Sequence, residues 1–191
     1  MTIVAIWCRH QKDNIIGIGP HIPWHISSDF RRFKRITEGS SIIAGQTTYE
    51  SFPGHTLPNR KIYVLTFDAG YEVSDKKNHF VVTNINDFKD INETLYLSGG
   101  ASVYKAFMTG TEALKPDVVV DCMYMGAINP DLKGKPVDIT PAVEALERGY
   151  IQASGDYLED DILTRVYLKK GAFVDQSVLK HIINAIENKK D

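Results

Sequence analysis

The stretch from His21 to Arg35, HIPWHISSDFRRFKR, holds a single carboxylate, Asp29, among four bases, Arg31, Arg32, Lys34 and Arg35. Ser27 or Ser28 can cap a helix that begins here, which places Asp29 in its first turn. Phe30, Phe33 and Ile36 recur at three-residue steps, and Phe33 follows Asp29 by four, so the carboxylate projects beside an aromatic stripe. One reading is an acid that gains about 0.3–1 kcal/mol from the dipoles at a helix N-terminus. The other is chemical. A carboxylate held among phenylalanines is costly unless something pairs with it. Its two oxygens match two parallel N–H donors, as in a guanidinium or a 2-amino-4-oxo-pyrimidine type of ring. A pterin-like ligand would satisfy Asp29 and be oriented by it.

Further segments have the composition of ligand contacts. In AGQTTYESF, Gly45 follows an apolar strand, and Thr47 and Thr48 open a helix, so backbone N–H groups and hydroxyls face an incoming anion. In SGGASVY, the pair Gly99–Gly100 lies between strand and helix; serine stands where the dinucleotide fingerprint has its last glycine, yet the pair still admits close approach of a ligand to the backbone. Each junction alone reads as an ordinary turn. Together, in one small α/β domain, they suit a long phosphate-bearing ligand lying across the strand ends. In LPNRK, Pro58 and Asn59 form a turn before Arg60, either an exposed loop arginine or a bidentate clamp for a carboxylate some way from Asp29.

The remaining composition excludes more than it assigns. The net charge of −2 comes from acids and bases in near balance, so neither nucleic acid nor a membrane surface is an expected partner. The basic run at 31–35 reads as the solvated face of a helix. Cys8 and Cys122 make no disulfide framework and no metal-ligand spacing, and read as small buried hydrophobes. Pro23 separates His21 from His25, so no metal site is expected. MTIVAIWC lacks a cationic lead and is too short to span a bilayer. A soluble, cytoplasmic, monomeric protein is the expectation.

The elements that must position these residues alternate. TIVAIWC, SSIIAG, KIYVLTF, HFVVT, TLYLS and DVVVDCMYM read as short buried strands, and helices follow several of them. NINDFKDI reads as a capped short helix. This pattern predicts one domain over residues 1–191: an α/β fold with a central, mostly parallel, mixed sheet and flanking helices. YIQASGDYLEDDILTRVYLKK adds a C-terminal antiparallel hairpin, two strand-like runs around an acidic turn. An extra C-terminal helix follows in DQSVLKHIINAIENKKD, with Val178, Leu179, Ile182, Ile183 and Ile186 at helical spacing.

In order and spacing, NIIGIGPHIPWHISSDFRRFKRIT, AGQTTYESF, LPNRKIYVLT and SGGASVY together resemble dihydrofolate reductases over most of residues 1–125. The resemblance implies NADPH as cofactor and dihydrofolate as substrate, with hydride transfer to C6 and protonation at N5. It implies that Asp29 is the active-site acid and that the Trp24 indole N–H donates to an ordered water beside it. Phe33, Phe30, Phe52 and Leu57 would wall the substrate, Arg60 would bind its α-carboxylate, and Ile6, Ser98 and Tyr104 would complete that site. For the cofactor, Ile16 to Trp24, including Ile22, would be a mobile loop over the nicotinamide, with Ala5 backbone groups beside it. Gly45, Gln46, Thr47, Thr48, Leu65, Thr66, Phe67, Gly99, Gly100, Ala101, Ser102 and Val103 would form the rest of the cofactor site, and Gly99–Gly100 resembles a pair joined by a cis peptide. Gln46, Ser102 and Phe67 depart from the family pattern and leave fewer cations around a 2′-phosphate. Ser98 adds a polar group to the pterin wall. Asp121 falls near a position usually held by a threonine that relays hydrogen bonds to Asp29; facing Asp29 it would make a pair of carboxylates and raise one pKa, and the other reading is that it points elsewhere. Two other readings stay open: a low-turnover folate- or nucleotide-binding protein, and a reductase of another pterin or pyrimidine in the same fold.

Overall fold

The computed structural model describes residues 1–187. The apolar runs form a nine-stranded sheet in the order β10-β11-β7-β1-β6-β3-β4-β5, with β9 paired to β11. The strands are β1 (Thr2–His10), β3 (Ser41–Gly45), β4 (Lys61–Leu65), β5 (His79–Val82), β6 (Thr94–Leu97), β7 (Val118–Tyr124), β9 (Tyr150–Gln152), β10 (Tyr157–Glu159) and β11 (Ile162–Lys169). From β7 to β5 every pairing is parallel. β11 runs antiparallel to β7, β9 and β10. A separate ribbon pairs β2 (Ile15–Ile18) with β8 (Pro136–Asp138).

Continuous apolar character in the central strands follows from burial on both faces. Ile3, Ala5 and Trp7 of β1 point into one cluster with Leu97, Phe107, Val143 and Leu146. That face is covered by α3 (Ala101–Met108) and α4 (Thr140–Gly149). Val4 and Ile6 point the other way, into a cluster with Val120, Ile36, Ile182 and Ile186. There α1 (Ser27–Thr37) and α5 (Gln176–Glu187) cover the sheet. The short α2 (Gln46–Ser51) follows β3. No helix among the described residues is long and apolar enough to cross a membrane.

The expected C-terminal helix is α5, which packs on the sheet face and on α1; its expected final residues, 188–191, lie outside the described residues. Two bonds clip it to α1: Arg35 Nε donates to the Ala185 carbonyl at 2.8 Å, and the His181 ring meets the Ile36 carbonyl at 3.0 Å. The C-terminal hairpin is present but has three strands rather than two. Its tight turn places Asp160 and Asp161 both at positive φ, 49° and 60°, the pattern of a two-residue turn that matches strand twist. NINDFKDI is a capped 3-10 turn over Ile85–Asp90, in which the Asn84 side chain accepts from the Asn86 N–H.

The sequence reading had no place for α4. Its start, D-I-T-P, looks like a break, yet proline in the first turn of a helix loses no hydrogen bond. The Asp138 carboxylate accepts from the Thr140 N–H at 3.0 Å, and Ala142, Val143 and Leu146 are the buried face.

Candidate functional site

Helix α1 begins without a side-chain cap. Its N-cap is Ile26, and neither Ser27 nor Ser28 plays the expected capping role; the Ser28 hydroxyl is buried and lacks a partner. Asp29 caps nothing either. Its carboxylate is only 18% exposed, 3.6 Å from Arg32 Nη1, and it faces the Cys8 thiol and the Trp24 indole. Burial pushes the carboxyl above the ordinary aspartate range. Arg32 opposes this, followed by Cys8 and Trp24. Trp24 is buried, its ring centroid 4.9 Å from that of Tyr124, and its Nε1 has no acceptor among the described residues. A buried indole N–H beside a half-shielded acid is an unfilled donor that a ligand or an ordered water would satisfy.

The basic run is not uniformly solvated. Arg31 and Lys34 are exposed, but Arg32 is 2% exposed and lies on the inner face of α1. The reason is helical spacing: position 32 is three after Asp29 and shares its face, where Glu159 of β10 supplies a second carboxylate at 3.1 Å.

Asp121 does not relay to Asp29. Trp7 pairs with Asp121 and Cys8 with Cys122 in the β1–β7 register, and successive side chains point to opposite faces. Asp121 is therefore turned to the far face, where it accepts from Arg9 Nε and Nη2, both at 2.9 Å, and from the Trp7 indole at 2.6 Å. The residue of β7 on the Asp29 face is Cys122, which accepts from the Thr164 hydroxyl at 3.5 Å. Burial pushes the Cys122 thiol up to about 12, and raises that of Cys8 as well, with Asp29 adding to the latter. Both are neutral donors, not nucleophiles. Cys8 and Cys122 were read as packing alone, although strand alternation places them on the face of Val4 and Ile6.

The two glycine junctions meet directly. Gly45 N–H donates to the Gly99 carbonyl at 2.7 Å, and a methyl group on Gly45 would sit 3.1 Å from Val103 Cγ2. On Gly100 it would sit 3.2 Å from the Thr48 hydroxyl. The Gly99–Gly100 peptide is cis. Neither α2 nor α3 has a side-chain cap at its start, so first-turn N–H groups are free of side-chain acceptors beside Thr47, Thr48, Ala101 and Ser102. Gly99 has φ +110°, and an added methyl would also meet the Tyr104 ring at 3.3 Å. Gly99→Ala should cost about 1–3 kcal/mol through that backbone strain, a loss of several degrees in Tm by calorimetry. An unchanged Tm would mean the junction relaxes freely.

Around this junction Ser98 donates its hydroxyl to the Ile43 carbonyl at 3.2 Å, and Tyr104 donates to the Ile6 carbonyl at 2.5 Å. Burial keeps the Tyr104 phenol protonated. Ala5 is fully buried with Leu97 and Val119 as register partners on either side. β6 ends opposite Ala5, so β1 loses that neighbour from Ile6 onward. Ile16 packs against the α3–α4 side of the core, while Ile22 is half exposed. The intervening loop is clasped by the β2–β8 ribbon and by Gly19 N–H to the Lys135 carbonyl at 3.0 Å.

At the end of β4, Thr66 donates to Gln46 Oε1 at 2.6 Å, and Gln46 Nε2 donates to Glu50 at 3.0 Å. Leu65 is half buried, and Phe67 is fully exposed. Phe33 packs with the α1–α5 cluster and Phe52 and Leu57 with a smaller one around Tyr49, while Phe30 is largely exposed. Arg60, read as a loop residue, is 7% exposed. It donates to Thr37 Oγ1 at 2.9 Å, to the Pro58 carbonyl at 2.7 Å and to the Lys34 carbonyl at 3.2 Å. Leu57 and Arg60 border a polar cavity of about 600 Å³ that also touches Ser41, Lys61, His79 and Thr94, at the amino ends of β3 to β6. Asp29 lies outside it, toward the carboxyl ends, where open α/β sheets hold their ligands.

The arrangement is that of an α/β protein with a largely buried acid near the carboxyl end of β1 and a glycine-lined junction at the ends of β3 and β6. The chain belongs to the dihydrofolate reductase family, whose profile matches residues 2–136. It is 31% identical to a dihydrofolate reductase of Enterococcus faecium over 115 residues, 58% of this chain and 67% of that one. It is 28% identical to one of Staphylococcus aureus over 134 residues, 70% of this chain and 76% of the relative. The structure of dihydrofolate reductase from Enterococcus faecalis, complexed with NADP(H) and RAB-propyl, superposes with a TM-score of 0.70 at 18% identity, over 88% of this chain and 96% of that one.

Proposed function

We propose that the protein reduces 7,8-dihydrofolate to 5,6,7,8-tetrahydrofolate with NADPH. The observation that carries this reading is the largely buried Asp29 carboxylate beside the buried Trp24 N–H, which makes no hydrogen bond of ordinary geometry among the described residues, in a chain of this family. Asp29 would accept the paired N–H donors of the pterin's amino-pyrimidine edge, and its charge would raise the basicity of N5. Trp24 would hold a water at the rim of that pair. Phe30 and Phe33 would cover the rings, with Phe52 and Leu57 lining the opposite wall. Arg60 would clamp the α-carboxylate of the tail. The cofactor supplies the hydride that reaches C6. Gly45, Thr47, Thr48 and Gly99 to Val103 would hold its pyrophosphate, because neither helix start carries a side-chain cap and an added methyl at Gly45 or Gly100 would crowd Val103 or Thr48.

The direct test is loss of the NADPH absorbance on addition of dihydrofolate. Tight folate binding with no oxidation would instead mark a binding protein.

Gln46 bears on the choice of cofactor. It is held between Thr66 and Glu50 and offers an amide where an arginine would offer a charge. Gln46→Arg should tighten NADPH over NADH by about tenfold, one added charge-assisted contact. Equal tightening of both cofactors would mean that the side chain does not reach the extra phosphate.

A further inference from the structure

Arg32 is a cation buried between two carboxylates. Its Nη2 donates to Glu159 Oε2 at 3.1 Å, and its Nη1 lies 3.6 Å from Asp29 Oδ1 and 4.0 Å from Cys122 Sγ. Its Nε is buried with no acceptor among the described residues. A guanidinium does not shed its proton to escape burial. Replacing buried ion clusters by apolar groups is often neutral or stabilising, so stability alone does not account for the arrangement. What the arrangement accomplishes is at Asp29.

The groups facing Asp29 come from every element packed around it. They are Trp24 from the preceding loop, Arg32 from α1, Cys8 from β1, Cys122 from β7 and Tyr104 from α3. Burial keeps both thiols and the phenol protonated, so Arg32 is the charged member of this set. β10 contributes Glu159, which reaches Asp29 only through Arg32 and is itself 43% exposed.

We propose that Arg32 is a positioning residue that holds Asp29 ionised and oriented, and that Glu159 sets how much of its charge Asp29 receives. This rests on the reading of Asp29 as the pterin-binding acid. The geometry makes the two carboxylates competitors. Glu159 has the shorter contact, so it draws Arg32 outward.

The signs follow. Removing the cation makes Asp29 harder to ionise, so its titration midpoint rises. Removing Glu159 leaves Arg32 to Asp29 alone, so the midpoint falls. Opposite charges at this range move a carboxylate by about 1–3 units, and with Glu159 sharing the charge the rise should be about one unit.

The experiment is a ¹³C carboxyl NMR titration of Asp29, its signal assigned by its absence in Asp29→Asn, alongside folate affinity as a function of pH. Arg32→Met should raise the midpoint by about one unit and weaken folate near neutral pH. Arg32→Lys should restore most of the parent value, and Glu159→Gln should lower it. Glu159 is at the surface, so its variant carries the test even if Arg32→Met fails to fold. A midpoint that Glu159→Gln leaves unmoved or raises overturns the proposal. So does a rise in Arg32→Met that Arg32→Lys does not rescue, because packing alone would then explain it. If Asp29→Asn binds folate as tightly as the parent, the pterin reading falls and takes the role of Arg32 with it. If Asp29→Asn loses folate but the midpoints stay fixed, only the role of Arg32 falls.

Discussion

Asp29→Asn should lose about a hundredfold or more of its turnover with dihydrofolate at neutral pH, while the folded protein becomes no less stable. Asparagine keeps the volume and one acceptor oxygen but removes the charge-assisted pair that a carboxylate offers to two parallel N–H donors. The stability half of this expectation comes from linkage. Burial raises the folded-state pKa of Asp29 above its unfolded value, so the ionised carboxylate costs stability at all pH values above that raised pKa. The cost disappears as pH falls through the folded pKa toward the ordinary aspartate range, where both states are protonated. Asparagine never bears it. Calorimetry at pH 7 should therefore give the variant a Tm equal to or above that of the parent, with the gap closing in acid. Cofactor affinity, which the proposed reading assigns to the glycine junction, should be unchanged. A variant that loses activity together with its Tm would show that Asp29 supports the fold instead of the chemistry.

Much of this site could be read from the chain because its parts are contiguous. Pro23, Trp24, Asp29, Phe30 and Phe33 fall within eleven residues, and each glycine junction is a few residues long. Strand character was equally local, since burial on both faces leaves an unbroken apolar run. What escaped reading depends on partners distant in sequence. Arg32 looks like a surface base until Glu159, 127 positions later, folds over it. Cys122, not Asp121, shares the face of Asp29, because one residue along a strand turns a side chain to the other face of the sheet. Arg60 looked exposed because its acceptors, Lys34 and Thr37, lie on a helix more than twenty residues earlier. The start of α4 is hard to read because Pro141 resembles a break, although it stands in the first turn.

Arg60→Leu should raise the KM for dihydrofolate by about a hundredfold or more, yet leave turnover of a dihydropterin without the aminobenzoyl-glutamate tail close to that of the parent. The guanidinium has five N–H groups. Three are occupied by Thr37 Oγ1, the Pro58 carbonyl and the Lys34 carbonyl, which leaves one on each terminal nitrogen. In the proposed role those two would be offered to a carboxylate. Two charge-assisted bonds at about 1.5–3 kcal/mol each set the size of the loss. Helix α1 fixes the spacing: Asp29 stands in its first turn and Thr37 at its end, eight residues on and about 12 Å along the axis. A rigid aromatic spacer between pterin and glutamate spans such a gap, so in the proposed role one helix would hold both ends of the substrate. Arg60→Lys keeps the charge but not the fork, and should fall between parent and Leu variant. The decisive measurement is the ratio of kcat/KM for the two substrates. If the tail-less pterin suffers as much as dihydrofolate, the role of Arg60 is to brace the end of α1 through Lys34 and Thr37, and the carboxylate is bound elsewhere.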